Sequence, residues 1–440
     1  MKILFVCTCF SPKNVIGSIR TSKFVKYLLR LNENLTIISP TINNYDIKDE
    51  SLECYEFTKA KRITIDYSKL TKYLTEKYLE NKKSKVINNK TKSNNLFIIG
   101  ILKVRSILRF IFAKWRDWEW KFKVIRHINK ENEKYDIVIS SSPLTCTHYI
   151  AMYLKKNGIA KQWVADFRDP IIQEDAKGIS LFWQRRDQYP IAHYADIITI
   201  VTKHHADNFD CFAEDRTKVH FLPNGFDEDD LSKFDLDNST NANNRLIITY
   251  AGGLYGGKRD CSPLFKVIYD LIQEKLISKD DIIFKYAGYD FQILYEQANN
   301  FNLDTILKNQ GILTREESIK LQHNSDCIVV ATYCYKDGGG ELTGKIFEPI
   351  MLNKKIILLV NGNGKNSEPA QFVKKINAGI VFEESNKIID FLNLKQYILN
   401  ICVEKKNKGH LTQTKYDEEV KKYTHKYIID ELIKLIHDSN

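Results

Sequence analysis

The chain has 440 residues, 43% of them hydrophobic and 28% charged, a composition that fits a globular protein and excludes a fibrous or disordered one. One core rarely grows to that length, so two compact domains of about 200 residues each are expected. The formal charge of +11 is concentrated: residues 59–134 hold 21 Lys and Arg against 7 Asp and Glu, an excess of 14, and such a basic face needs an anionic partner or solvent.

No apolar run reaches the roughly 18 residues that a membrane span needs, and the densest stretch, Leu96–Leu102, is far shorter. The start, Met1–Val6, lacks a charged leader and a small-residue cleavage site, and reads as a buried strand, so a cytoplasmic protein is expected. Nine cysteines without a C-x-x-C pair or a Cys/His cluster read as core or surface thiols in a reducing compartment, with no metal site.

Ile3–Val6 is a short apolar run followed by Gly17 and Ser18, which open an amphipathic stretch, Ile19–Leu31, and Leu35–Ile38 is apolar again. Strand, helix and strand at that spacing predict a parallel pair. Further buried strands are predicted at Asp136–Ser140, Trp163–Asp166, Ile197–Val201 and Val219–Leu222. Residues 81–95, polar and low in complexity, read as a loop, and Pro223-Asn224-Gly225 reads as a turn. Residues 227–245, rich in Asp, Asn, Ser and Thr, read as the interdomain linker. That divides the chain into a first domain over 1–226 and a second over 246–412. A second series of strands is predicted at Leu246–Tyr250, Ile282–Ala287, Cys327–Ala331, Ile356–Val360 and Gly379–Phe382. Val420, Tyr423, Tyr427, Ile428, Leu432 and Leu435 share a face of one helix over Tyr416–Ile436, a terminal element (413–440) that would cross back to the first domain.

The predicted fold is therefore α/β, two Rossmann-like doubly wound parallel-sheet domains facing a central cleft, with ligands at the carboxyl ends of the strands. Directly after the strand Leu246–Tyr250 comes Gly252-Gly253-Leu254-Tyr255-Gly256-Gly257-Lys258-Arg259. Its glycines allow close backbone approach to an anion and its two cations suit a diphosphate, against the alternative of a glycine turn with solvated basic residues. Farther on, Gly338–Gly340, Glu341, Thr343 and Gly344 precede Lys345-Ile346-Phe347-Glu348. Thr343 and Gly344 would open a helix with its amino terminus toward the ligand, and Glu348 would accept hydrogen bonds from the two hydroxyls of a ribose; the plainer alternative is an exposed helix carboxylate. In the first domain, Asp166-Phe167-Arg168-Asp169-Pro170 ends a strand, as a catalytic contact or as a buried Arg–Asp pair holding a loop.

Taken in order, MKILFVCTCFSPKNVIGSIRTSKFVKYL, YDIVISSSPLTCTHYIA, WVADFRDP, KVHFLPNGFD, ITYAGGLYGGKRD and LTGKIFEPIMLNKKIILLV resemble the retaining glycosyltransferases of the two-domain GT-B fold, family 4 (group 1), over nearly the whole chain. The resemblance implies transfer of a sugar from a nucleoside-diphosphate sugar to a hydroxyl of a glycan or polyprenyl-linked acceptor in polysaccharide biosynthesis, capsule or lipopolysaccharide, with retention and without a metal or other cofactor. It implies donor contacts from Gly17, Ser18, Gly252, Gly253, Leu254, Lys258, Arg259, Glu341, Thr343, Gly344, Lys345, Ile346 and Glu348, and catalytic contacts from Asp166, Arg168, Asp169 and Lys258. Two positions depart from the family pattern. Gly253 stands where the family has Arg, with Arg259 as a substitute, and Gly340 stands where it has a first Glu, with Glu341 one residue out of register. The same fold serves nucleotide-sugar 2-epimerases, and a non-catalytic relative in a polysaccharide assembly complex is a third possibility.

The segment from Leu96 to Lys134 mixes Ile, Leu, Phe and Trp with basic residues. Trp115–Ile128 reads as a helix packed on the sheet, and Leu96–Phe112 as a segment for an anionic membrane surface, which would make the protein peripheral on the inner face of the membrane. The basic residues match no nucleic-acid reading motif, so nucleic acid is not an expected partner.

Overall fold

The computed structural model describes the chain except residues 32–33, 44–45, 88–95, 143, 173–175, 212–214, 234–243, 413, 415 and 440, and the side chains of 16, 79–87, 96–107, 109 and 110. Two compact units divide it, the first Met1–Ile200 with Phe209–His220 and Ile436–Asn440, the second Val201–Asn208 with Phe221–Leu435.

The first unit is built on seven strands: β1 (Lys2–Cys7), β2 (Asn34–Ser39), β3 (Lys61–Thr64), β4 (Tyr135–Ser141), β5 (Ala160–Phe167), β6 (Ile197–Ile200) and β7 (Val219–Phe221). Their order is β3-β2-β1-β4-β5-β6-β7. The second is built on β8 (Leu246–Ala251), β9 (Ile282–Ala287), β10 (Leu307–Asn309), β11 (Cys327–Tyr333), β12 (Lys355–Asn361) and β13 (Gly379–Glu383), ordered β10-β9-β8-β11-β12-β13. Every pairing with a defined register is parallel. Helices follow most strands and cover both faces, which is why Ile3–Cys7 and Ile356–Val360 are buried without alternation. Both sheets reverse strand order beside their first strand, the arrangement that opens a crevice at the carboxyl ends.

All the predicted strands are present, within three residues of their expected ends. Two strands were not predicted, β3 (KRIT) and β10 (LKN); each is an edge strand with a single aliphatic residue, so neither shows an apolar run. The loop expected over 81–95 is helical as far as it is described, because the helix Lys69–Ile87 runs through its first seven residues, where no Gly or Pro stops it; the remainder, 88–95, lies outside the described residues. The segment expected as linker contains the helix Asp229–Lys233, with Asp227 and Asp230 buried, while 234–243 lies outside the described residues.

The terminal helix is also different from its prediction. A 3-10 segment, Glu418–Tyr423, stops at Thr424, and the α-helix spans His425–Asp438. The cause is a strand-like bridge: Phe226 N–H donates to Tyr423 O at 3.0 Å, and His425 N–H donates to Phe226 O at 2.8 Å, which holds Thr424 extended. Gly225 is therefore not a turn residue. It lets the two backbones approach, since a Cβ there would collide with the Tyr423 carbonyl and Ile428 Cδ1. The buried face of the helix is Ile428, Ile429, Leu432 and Ile436, while Tyr427 is exposed. Gly225→Ala is expected to lower stability by about 1–3 kcal/mol through overpacking. Urea denaturation checks this, and an unchanged midpoint would contradict the close approach.

Candidate functional site

In the second unit, β8 and β11 pair only through Tyr250↔Val329, after which β11 continues beside β12 to Tyr333↔Asn361 while β8 stays with β9 through Ala251↔Ala287. The two strands part at the point where the strand order reverses. The glycine loop after β8 and the Thr343–Glu348 segment after β11 flank that opening. Gly252 has φ +134°, and the space a Cβ would take is filled by the Lys345 ammonium. Its carbonyl accepts from Tyr286 Oη at 2.9 Å and that of Gly253 from Tyr250 Oη at 3.0 Å. Both carbonyls are thus drawn into the domain, and the Gly253 N–H has no partner among the described residues. Asp290 fixes the next residue, accepting from Leu254 N–H at 2.6 Å. The Leu254 side chain is buried in the core, so only its backbone faces the loop.

Three cations converge on this loop. Arg259 is buried, lies 4.2 Å from the Tyr255 ring and 4.0 Å from Glu341 Oε2, and its Nε has no hydrogen-bond partner among the described residues. Lys258 is exposed, 5.9 Å from the Tyr333 ring centre. Lys345 is partly buried and has no carboxylate within ion-pair distance among the described residues. Burial, and then the Arg259 charge, push its pKa down to about 8, against weaker upward pulls from Glu348 and Asp290. A second negative charge placed beside it would reverse that depression.

As predicted from the sequence, the helix after β11 opens at Gly344 with Thr343 in the cap position, a 3-10 turn Gly344–Ile346 running into Phe347–Met351. Its first N–H groups have no intrahelical acceptor, and nothing lies within 4 Å of where a Gly344 Cβ would be. Ile346 is buried beside Leu342, Phe347 and Ile350, so its side chain serves the core. Glu341 is half-exposed and accepts from Tyr333 Oη at 3.4 Å. Glu348 is not an exposed helix carboxylate. Arg315 Nη1 donates to it at 2.9 Å and Gln322 Nε2 at 2.8 Å, and the other arm of Arg315 reaches Asp230 at 2.9 Å. Burial works against the Arg315 charge, but Asp230 and Glu348 outweigh it and hold the guanidinium more firmly protonated. Tyr250, Tyr286, Asp290, Arg315 and Gln322 were not singled out from the sequence. They follow β8, β9 and β10 or sit in them, and only the strand order brings them to the loop.

In the first unit, Gly17 and Ser18 lie in the first turn of the helix Ile16–Arg30. Arg168 lies across Gly17, where a Cβ would meet its Nη1, and its own N–H donates to Ser142 Oγ at 2.9 Å. Thr8 Oγ1 and Ser18 Oγ are buried without a hydrogen-bond partner among the described residues, which suits a polar ligand at this helix terminus. Asp169 is exposed. Asp166 is 1% exposed and accepts from Arg20 Nη2 at 2.8 Å, Arg20 Nε at 3.2 Å, Ser141 Oγ at 2.7 Å and Thr199 Oγ1 at 2.9 Å. The buried Arg–Asp pair is real, and its arginine is Arg20, not Arg168. Burial raises the Asp166 pKa, but the Arg20 charge and these hydrogen bonds outweigh it and hold the carboxyl below its usual range. Asp166→Asn is expected to cost about 3–5 kcal/mol of stability by leaving the Arg20 charge buried and unpaired. Denaturant unfolding checks this, and a loss below the measurement error would contradict it.

Among the described residues no cluster of three or more His, Cys, Asp and Glu could hold a metal ion, and no helix is long and apolar enough to cross a membrane. All nine cysteines are unpaired.

No protein-family model and no curated protein matches the sequence. Solved structures do match over its full length. The HepE protein of Anabaena in complex with UDP and glucose aligns with a TM-score of 0.58 at 11% identity, covering 100% of both chains. A lipopolysaccharide outer core galactosyltransferase, WaaB, aligns at 0.56 and 10% identity, again over 100% of both. The UDP-GlcNAc 2-epimerase of Methanocaldococcus jannaschii aligns at 0.54 and 11% identity, also over 100% of both. At such identities the likeness speaks for the fold, and the fold is that of the GT-B proteins, two Rossmann-like doubly wound parallel-sheet domains.

Proposed function

We propose that the chain is a glycosyltransferase that moves a sugar from a nucleoside-diphosphate sugar to a hydroxyl of a glycan or polyprenyl-linked acceptor in cell-surface polysaccharide biosynthesis, with retention and without a metal. The observation that carries this reading is the Lys345 ammonium seated over Gly252 without a carboxylate partner, beside the buried Arg259. Two buried or half-buried cations over a glycine loop are costly unless an anion joins them, and a diphosphate supplies the charge.

In this reading the diphosphate lies against the N–H groups of Gly253 and Gly344 and the side chains of Lys345, Arg259 and Lys258. Thr343 and Ile346 contribute through backbone, and Glu348, held by Arg315 and Gln322, turns its remaining lone pairs to the ribose hydroxyls. The bond from the sugar's anomeric carbon to the diphosphate breaks as the acceptor oxygen bonds to that carbon on the same face. The acceptor's proton passes to a diphosphate oxygen, so no protein nucleophile takes part. The cations stabilise the departing charge, which accounts for most of the acceleration. In the first unit, Arg168 and Asp169 are assigned to substrate and Gly17 and Ser18 to a polar group of it, while Asp166 acts as a positioning residue, fixing the helix of Arg20.

The position of the family's first Glu is Gly340, with φ +95°, and the neighbouring Glu341 is turned to Tyr333 and Arg259. This favours keeping the 2-epimerase as a second reading. A product assay separates the two: an epimerase alters the donor sugar without an acceptor, whereas a transferase needs one. Absence of both activities would leave the non-catalytic relative.

Calorimetry with UDP, GDP and ADP is expected to find one that binds, and Lys345→Met to weaken it by roughly 10- to 100-fold, the value of a charge-assisted hydrogen bond. Because Lys345 must be protonated to bind the anion, affinity should fall as pH rises above about 8, by up to about tenfold per pH unit. A profile flat from pH 7 to 10 would contradict the assignment. Glu348→Gln should weaken nucleoside diphosphate and leave inorganic pyrophosphate unchanged; equal losses for both would move Glu348 out of the ribose site.

A further inference from the structure

The helix Leu96–Glu131 has 36 residues, about 54 Å, whereas the strand it precedes, β4, has seven, about 23 Å. It overshoots the sheet. Its inner face is set by Trp120, Val124 and Ile128, all buried, with Trp120 Nε1 donating to Ile65 O at 3.0 Å. On the opposite face Leu108, Ile111, Trp115, Trp118 and Phe122 follow one another at spacings of three and four, a single exposed stripe. The rings touch along it in tilted pairs, Trp115 to Trp118 at 5.7 Å and Trp118 to Phe122 at 4.3 Å. Trp115–Ile128 is packed on the sheet as its sequence predicts, but its outer side is aromatic.

A second helix of the same unit, Gly178–Tyr194, exposes Ile179, Phe182 (62%) and Trp183 (46%). Asp187 ties it to the first helix by accepting from Lys114 Nζ at 2.6 Å, one residue from Trp115 and one turn from Trp183. Because this helix follows β5, its exposed first turns lie toward the carboxyl ends of the strands, and the overshoot of the longer helix points the same way. Arg186 lies 4.8 Å from the Trp183 ring centre and Lys121 5.6 Å from that of Phe122, and neither has a carboxylate partner among the described residues. Residues 96–131 hold nine Lys and Arg against three Asp and Glu, and 96–113 hold three against none.

We infer that these two helices form a docking face for an anionic lipid bilayer, with the Trp and Phe rings entering the headgroup region and the surrounding Lys and Arg meeting lipid phosphates. Tryptophan with free cations beside it is the chemistry of the membrane interface, and a protein partner would not require the charge to be of one sign. Docking here presents the carboxyl ends of the first sheet, with Gly17 and Arg168, to the surface in which a polyprenyl-linked acceptor is embedded. The inference goes beyond the donor reading and does not need it.

The test is flotation of the full chain with vesicles of phosphatidylcholine mixed with phosphatidylglycerol, against phosphatidylcholine alone. The chain is expected to float with the anionic vesicles, less so in high salt. Two sets of substitutions, Trp115→Ser with Trp118→Ser and Phe122→Ser, and Phe182→Ser with Trp183→Ser, are each expected to lower partitioning by about tenfold or more. Nucleoside-diphosphate affinity should remain unchanged, which separates a failure of this inference from a failure of the donor reading. The sets lie on different helices, so a folding defect seen by circular dichroism in one leaves the other to decide. No flotation of the unmodified chain, or equal flotation of the substituted chains, would overturn the inference. So would a dimer in sedimentation that the same substitutions dissolve, since a second copy would then be the occupant.

Discussion

The approach of the Lys345 ammonium to Gly252 is the contact on which the proposed site of the second unit depends. It requires a residue without Cβ at 252, with φ +134°, and a lysine delivered from a different loop. Both requirements follow from topology. β8 and β11 are neighbours that part after Tyr250 and Val329, so their loops leave in opposite directions and leave a crevice between them. Tyr250 and Tyr286 then hold the glycine carbonyls inward, so that donors and cations, rather than acceptors, line the opening. The result is a site short of negative charge, in which a lysine has its pKa lowered to about 8 by burial and by Arg259.

The first unit solves a different problem with the same kind of residues. Asp166 and Arg20 form a closed pair, with Ser141 and Thr199 supplying the remaining donors, and such a pair binds nothing further. Its effect is geometric: it fastens the helix Ile16–Arg30 to β4, β5 and β6, and with it the position of Gly17 and Ser18. Satisfied charge builds the frame, and unsatisfied charge marks where a ligand belongs. By that criterion the Lys345 ammonium is the informative charge, with the unpaired Arg259 Nε, Ser18 Oγ and Thr8 Oγ1 as polar atoms of the same kind, and Asp166 is not.

Much of the fold was legible in the sequence because buried parallel strands are continuous apolar runs, as in Ile3–Val6 and Ile356–Val360. The edge strands β3 and β10 were not, since an edge is half-solvated and its composition resembles a loop. The break at Thr424 was hidden for another reason: helical periodicity carries straight through it, and the interruption comes from a bridge to Phe226, some two hundred residues away in sequence. For the site, glycine loops and their cations could be found by motif and position. Their partners could not. Nothing near Arg315 or Gln322 in the sequence points to Glu348, and the exposed aromatic residues from Trp115 to Phe122 read in sequence as part of an ordinary packed helix, because periodicity does not tell which of two apolar faces is inside.

In the proposed site Lys345 is a cation waiting for a diphosphate, and the pKa of its own ammonium tests this best, followed by NMR of selectively labelled lysine with and without nucleoside diphosphate. The expected result is a value near 8 in the free protein, rising by one unit or more, about 1.4 kcal/mol of added interaction, when the diphosphate binds. A titration that bound diphosphate leaves where it was would contradict it.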